Sequence, residues 1–171
     1  MNAASVKKSW DYFRQVHGIA LRAIAALPDA ALDAHPIPNM RTPKELVIHM
    51  YGMVRAFPAG VRDGELKDPD EAKVGSENRT KADLLAWCRL QWDAADAIVG
   101  QLDDAKVAGP VKTVWAGDMP GFVIFQILND EFWHHRGQFY CYLRALGTEG
   151  PMLYDYENNE PAYQPRERAK T

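Results

Sequence analysis

Glu131 and His135 stand four residues apart near the C-terminal end of the sequence. On an α-helix such residues are neighbours, one turn apart. A carboxylate oxygen and an imidazole nitrogen held that way can share a proton or a cation. A third group of the same kind, His49, sits between Leu46 and Met53 in a separate helical stretch. Two imidazoles and one carboxylate make a common first-row metal set that leaves positions open for water or substrate. Taken singly, each residue has a plainer reading. His49 can be a satisfied core histidine, Glu131 can pair with an Arg or Lys, and His135 can bond a carbonyl. Spacing alone leaves both readings open.

The element that carries Glu131 and His135 spans about residues 121–146, with Gly147 as its C-terminal stop. Ile124, Leu128, Glu131, His135, Gln138, Tyr142 and Leu146 follow one another at steps of three and four. At about 100° per residue they share one face, and its aliphatics point that face at a core. An ionised carboxylate there is costly unless it is paired or bound to a metal. His134 falls roughly 80° off the face by the same arithmetic. Arg136 and Gln138 are candidates to orient a substrate, with a surface ion pair as the alternative for Arg136. Gly137 inside a helix costs about 1 kcal/mol relative to alanine. Close approach of a neighbouring helix or of a ligand is the expected reason.

Three other helices must complete the core. The first runs over about residues 5–27, with Trp10, Phe13, His17, Leu21 and Ile24 on one face and Pro28 ending it. His17 is a further candidate, as a fourth ligand, a substrate contact or plain core. His35, in the proline-bearing connector that follows, is given no role. Thr42-Pro43-Lys44-Glu45 is a capping box with proline at the first helical position. It opens a second helix with the stripe Leu46, His49, Met50, Met53 and Phe57, closed by Pro58 and Gly60. Residues 61–79 are polar and read as loop. Thr80 to Asp83 opens a third helix, whose apolar face is Leu84, Trp87, Ala94, Ile98 and Leu102. The connector 103–120 has the makings of a short hairpin, and long connectors are often functional. The fold class is therefore all-α, a four-helix bundle. A single domain covers residues 1–150, and the tail 151–171 packs partly on it, with its last residues loose.

Composition narrows the function. The chain has 171 residues, 47% apolar and 25% charged, with a formal net charge of −3. That balance gives no basic face for nucleic acid. No apolar run is long enough to span a bilayer, and the N-terminus lacks a signal-peptide pattern. Cys88 and Cys141 fall in separate helices and read as two buried, reduced thiols of a cytoplasmic protein. No nucleophile elbow, phosphate loop or HExxH run is present. A small-molecule substrate is the expectation.

The run His134-His135-Arg136-Gly137-Gln138, followed by Tyr142-Leu143-Arg144-Ala145-Leu146-Gly147, resembles the signature of the DinB/YfiT family. The segment Glu45-Leu46-Val47-Ile48-His49-Met50 resembles that family's first ligand segment, and the resemblance covers roughly residues 5–150. It implies a four-helix bundle in up-down-down-up order, usually a homodimer. It also implies a divalent metal ion held by three histidines, at positions matching His49, Glu131 and His135. This chain departs from the pattern at Glu131, where the family usually has histidine. A carboxylate makes the site harder and more anionic, suiting nickel, zinc, manganese or iron(II). Some members are transferases or isomerases that use a low-molecular-weight thiol such as bacillithiol or mycothiol. The contrasting expectation is a non-catalytic helical bundle acting as a binding or interaction module.

Overall fold

The two capping boxes start two of the four long helices. In the computed structural model, which describes residues 1–164, Thr42 Oγ1 accepts from the Glu45 N–H at 3.2 Å, and Glu45 Oε2 accepts from the Thr42 N–H at 2.8 Å. Thr80 and Asp83 make the same exchange at 3.1 and 3.0 Å. The helices are α1 (Ala3–Ala26), α2 (Pro43–Asp63), α3 (Glu71–Glu77), α4 (Lys81–Gln101), α5 (Asp104–Ala108) and α6 (Gly121–Ala145). Between α5 and α6 lies an antiparallel hairpin, β1 (Pro110–Thr113) with β2 (Gly117–Pro120), paired Val111 to Met119 and Lys112 to Asp118. The hairpin expected in the connector is thus present.

The long helices form a bundle in which α1 and α2 each pack on both α4 and α6. Their directions follow from which ends meet. Lys81, at the start of α4, donates to the Leu27 carbonyl beyond the end of α1, while Trp10 near the start of α1 donates to Asp96 near the end of α4. Tyr142, late in α6, donates to the Arg41 carbonyl just before α2. By contrast Trp10 meets Phe125 and Phe13 meets Phe132, so α1 and α6 run the same way. The order is therefore up-down-down-up, as expected of the four-helix bundle.

The centre of the bundle is aromatic. Trp92 stacks on Trp10 with ring centroids 4.8 Å apart, and the His17 ring stacks on Trp92 at 4.3 Å. His17 is fully buried, and its Nδ1 shares a 2.9 Å hydrogen bond with the Tyr51 hydroxyl. The apolar face of α4 differs from the expected one. Leu84, Ile98 and Leu102 are buried as read, but Cys88, Trp92 and Ala95 take the centre while Trp87 and Ala94 lie at its edge. The large Trp92 ring turns the helix, because it completes the stack with Trp10 and His17. Cys88 is buried, whereas Cys141 is exposed rather than buried, and both are free thiols.

Two further expectations are corrected. Pro58 and Gly60 do not end α2, which continues to Asp63 and stops at Gly64 with φ +82°. An interior proline costs about 3 kcal/mol. Continuing the helix buries Val61 and brings Leu66 back into the core. Each such side chain contributes about 1.5–3 kcal/mol, enough to offset the proline. Gly60 serves close approach, since a Cβ there would meet Leu66 Cα at 3.2 Å. The stretch 61–79, read as loop, contains α3, started by Asp70 accepting from the Lys73 N–H. After α6 the chain returns over the bundle. Tyr140 donates to the Pro151 carbonyl, Arg22 pairs with Asp155 at 2.6 Å, and Tyr163 is buried against His17. The expectation of a loose chain end concerns residues outside those described.

Burial holds the His17 imidazole well below its ordinary pKa, with Arg89 and Arg14 adding to the effect. The folded state therefore binds this proton less readily than the unfolded chain. Stability tied to His17 is full above about pH 6.5, the ordinary histidine value, and falls as the pH drops from there towards the lowered folded pKa. The unfolding free energy from urea titrations should fall between about pH 7.5 and about pH 5, by no more than about 1.4 kcal/mol per pH unit from this one proton. His17→Phe should flatten that slope; an unchanged slope in the variant would refute the assignment.

Candidate metal centre

On α6 the buried face runs through Ile124, Leu128, Phe132, His135, Phe139 and Tyr142. The two phenylalanines rotate the helix towards themselves, so Glu131 and Gln138 lie at the edge of the core rather than inside it. The Glu131 side chain keeps 43% of its exposure, against 9% for His135. A carboxylate that retains this much water does not need a cation to be tolerated. Desolvation of Glu131, expected from the sequence to call for a cation, is therefore slight.

Because α2 and α6 run antiparallel, His49 and His135 meet across the seam, with ring centroids 4.8 Å apart and planes at 82°. One ligand atom from each of His49, Glu131 and His135 lies within 4.8 Å of the others. An ion about 2.1 Å from tetrahedral ligands asks for ligand atoms about 3.4 Å apart. The set is slightly more open than that, and Glu131, the most exposed of the three, has room to turn.

Both imidazoles are held from behind. His49 Nδ1 lies 2.6 Å from Glu71 Oε1. His135 Nδ1 lies 2.8 Å from Gln138 Oε1, whose amide nitrogen is 3.0 Å from His134 Nε2. An oxygen acceptor at each Nδ1 favours the tautomer protonated there, and a neutral ring so held keeps a lone pair on Nε2. Burial, the largest influence, lowers the pKa of His135, so the ring has only that one proton near neutrality. His135 Nε2 is 3.3 Å from Glu131 Oε2, close enough for an ion pair, yet it is buried and has no hydrogen-bond partner. A neutral ring protonated at Nδ1 has nothing to donate from Nε2 to the carboxylate, which accounts for a close contact without a hydrogen bond. Two imidazole lone pairs and a carboxylate oxygen converge, with no donor among them. That donor set fits a divalent cation, and the hydrogen-bonded carboxylate and amide behind the rings are the usual supports of histidine ligands.

A cavity of about 550 Å³ opens beside the triad, touching His49 and Glu131. Met53, Phe57 and Ile127 line it, together with Trp115 from the turn of the hairpin. Asp68 and Glu71 reach it from the α2–α3 segment, and no Lys or Arg among the described residues lines it. Sequence reasoning missed Glu71, Asp68 and Trp115. The signal for Glu71 was present in Pro69-Asp70-Glu71, a helix start, but the seven-residue helix that follows shows no apolar stripe.

The other candidates fall elsewhere. His17 is sealed in the core, away from this cavity. Gln138 holds His135 from behind, and His134 is exposed on the outside of α6. Arg136 lies against the Trp133 ring at 4.1 Å and lines a different cavity. Among the described residues nothing comes within 4 Å of where a Gly137 side chain would begin, so of the two reasons expected for this glycine, a neighbouring helix or a ligand, no helix packs there.

Among solved structures, this chain is similar to a DinB-like protein from Bacillus cereus, with a TM-score of 0.71 and 18% identity over 90% of this chain and 98% of that one. A DinB-like protein from Bacillus subtilis gives a TM-score of 0.65 and 19% identity, over 80% of this chain and 90% of that one. At such identities the likeness speaks for the fold alone. A search of curated proteins gave no match. The DinB family profile matches residues 1–168, nearly the whole sequence, and with it the HHRGQ run on α6; the chain belongs to the DinB family.

Proposed function

We propose that this protein is a metal-dependent enzyme acting on a small molecule, with a divalent ion held by His49, Glu131 and His135. The observation that carries the reading is the convergence of His49, Glu131 and His135, with His135 Nε2 buried and without a hydrogen-bond partner among the described residues. The family's histidine-rich site and the hardness of the Glu131 carboxylate favour nickel, zinc, manganese or iron(II) as the ion. Such an ion lowers the pKa of a bound water or thiol and so supplies a nucleophile near neutral pH. Glu71 and Gln138 fix the two imidazoles with Nε2 forward. Met53, Phe57, Ile127 and Trp115 take up the apolar part of the substrate. Asp68, Glu71 and Glu131 disfavour anions, so a neutral or cationic substrate suits the cavity. A low-molecular-weight thiol as cosubstrate rests on the family resemblance, as does a homodimer. Free Cys88 and Cys141 suit a reducing, cytoplasmic setting. No helix among the described residues is long and apolar enough to cross a membrane.

The competing reading is a metal-free binding module, favoured by the contact between Glu131 and His135 at 3.3 Å. Metal analysis of untagged protein separates the two. Wild type should carry one ion per chain. His49→Ala, His135→Ala and Glu131→Ala should lose it, while Glu131→His and His134→Ala should keep it. Release should follow acidification, because both imidazoles must be neutral to bind. Full metal content in His49→Ala and His135→Ala would sink the ligand set.

Glu71→Ala should weaken metal affinity by about 10–100-fold, with Glu71→Gln between it and wild type. Competition with a chelator reads this directly, and wild-type affinity in Glu71→Ala would remove Glu71 from the site. For the homodimer, light scattering should give about twice the 19.3 kDa chain mass at micromolar concentration. A single-chain mass would reject it.

A further inference from the structure

A second cavity, of about 580 Å³, shares no residue with the one beside the triad. Arg136, Gly137 and Arg144 line it from α6, and residues 149–153 close it from the returning chain. Its walls are largely apolar, with Trp133 and Tyr140 on one side and Met152 and Leu153 on the other.

Two independent features mark it as more than a surface groove. Arg136 is only 8% exposed, yet it makes no hydrogen bond or ion pair among the described residues, and its Nη1 is buried without a partner. Its guanidinium lies over the Trp133 ring, and no carboxylate among the described residues pairs with it. A buried cation without a counter-ion is unfavourable, and the planar guanidinium matches a carboxylate. The second feature is Gly137. A helical glycine costs about 1 kcal/mol relative to alanine, and here no neighbour requires it, since a Cβ would point into open space. What the missing side chain leaves free is the cavity floor. Glu149 also lines the cavity, but it is exposed and makes no ion pair among the described residues. Arg136 and Arg144 outnumber it.

We propose that this cavity is a binding site for a small organic carboxylate with an aromatic or aliphatic body. The carboxylate lies against the Arg136 guanidinium, and the body lies against Trp133, Tyr140 and Leu153 across the bare Gly137 backbone. The site is separate from the metal centre and does not depend on the metal reading.

Phenylbutyrate and phenylbutylamine, alike in shape and opposite in charge, serve as probes in calorimetric titration of the full chain. Phenylbutyrate should bind saturably and the amine should not. Arg136→Met should weaken phenylbutyrate binding by at least about tenfold, the usual weight of a charged hydrogen bond. Gly137→Leu should fill the cavity and abolish binding while keeping or raising the melting temperature, because leucine is the better helix former. That variant decides the matter even if Arg136→Met fails to fold. His49→Ala should bind phenylbutyrate as wild type does. The proposal is overturned by an absence of saturable phenylbutyrate binding at millimolar concentration, by equal binding of the amine, by wild-type binding in Gly137→Leu, or by loss of binding in His49→Ala.

Discussion

The antiparallel packing of α2 on α6 is the interaction on which the rest depends. It sets the rings of His49 and His135 4.8 Å apart, from helices that are distant in sequence. It also closes the bottom of the bundle, where Tyr142 reaches the Arg41 carbonyl, and the top, where Gly121 lets α6 start close against Val61. A Cβ at Gly121 would sit 2.8 Å from Val61, so this seam tolerates no bulk at that end. Beside the seam the rings of Phe13, Phe132, Tyr51 and Trp92 interlock, Phe13 meeting Phe132 and Trp92 and Tyr51 meeting Phe132.

Within that frame the chemistry is a matter of which lone pairs are left over. Each histidine of the triad has one nitrogen committed to an oxygen acceptor, Glu71 for His49 and Gln138 for His135. The commitment turns the remaining nitrogens towards Glu131. Three acceptors facing one another repel unless a proton or a cation joins them, and burial lowers the pKa of His135 against the proton. The arrangement is thus poised for a cation by its own hydrogen bonds. On the other side of α6 the imbalance is reversed, with Arg136 Nη1 buried and without an acceptor among the described residues. One helix turn therefore separates an acidic cavity from a basic one.

The side elements contribute more than closure. Short as it is, α3 delivers Glu71 to the back of His49, and the hairpin delivers Trp115 to the cavity mouth. Both come from stretches whose own packing is thin: α3 has no buried residue, and Trp115 is half exposed. Functional groups at the rim ride on such elements while the four long helices hold the triad.

Taken by itself, the sequence determined the four long helices and three candidate ligands. Capping boxes at Thr42 and Thr80 act locally, through residues three apart, and so they are legible without a fold. The stripe of α1 is equally legible, because every one of Trp10, Phe13, His17, Leu21 and Ile24 is buried. The spacing of Glu131 and His135 gave a pair, and His49 gave a third group on another apolar face. The tertiary structure decided what periodicity cannot. It rotated α6 towards Phe132 and Phe139, which left Glu131 at the rim, and rotated α4 towards Trp92. It carried α2 past Pro58, because burial of Val61 and Leu66 outweighs a lost backbone hydrogen bond. It sent Arg136 away from the triad and opened space over Gly137. The physical reason is common to all four. Local rules set which residues become helical, but the azimuth and length of a helix are set by whichever large side chains find partners across the core, and those partners are far away in sequence.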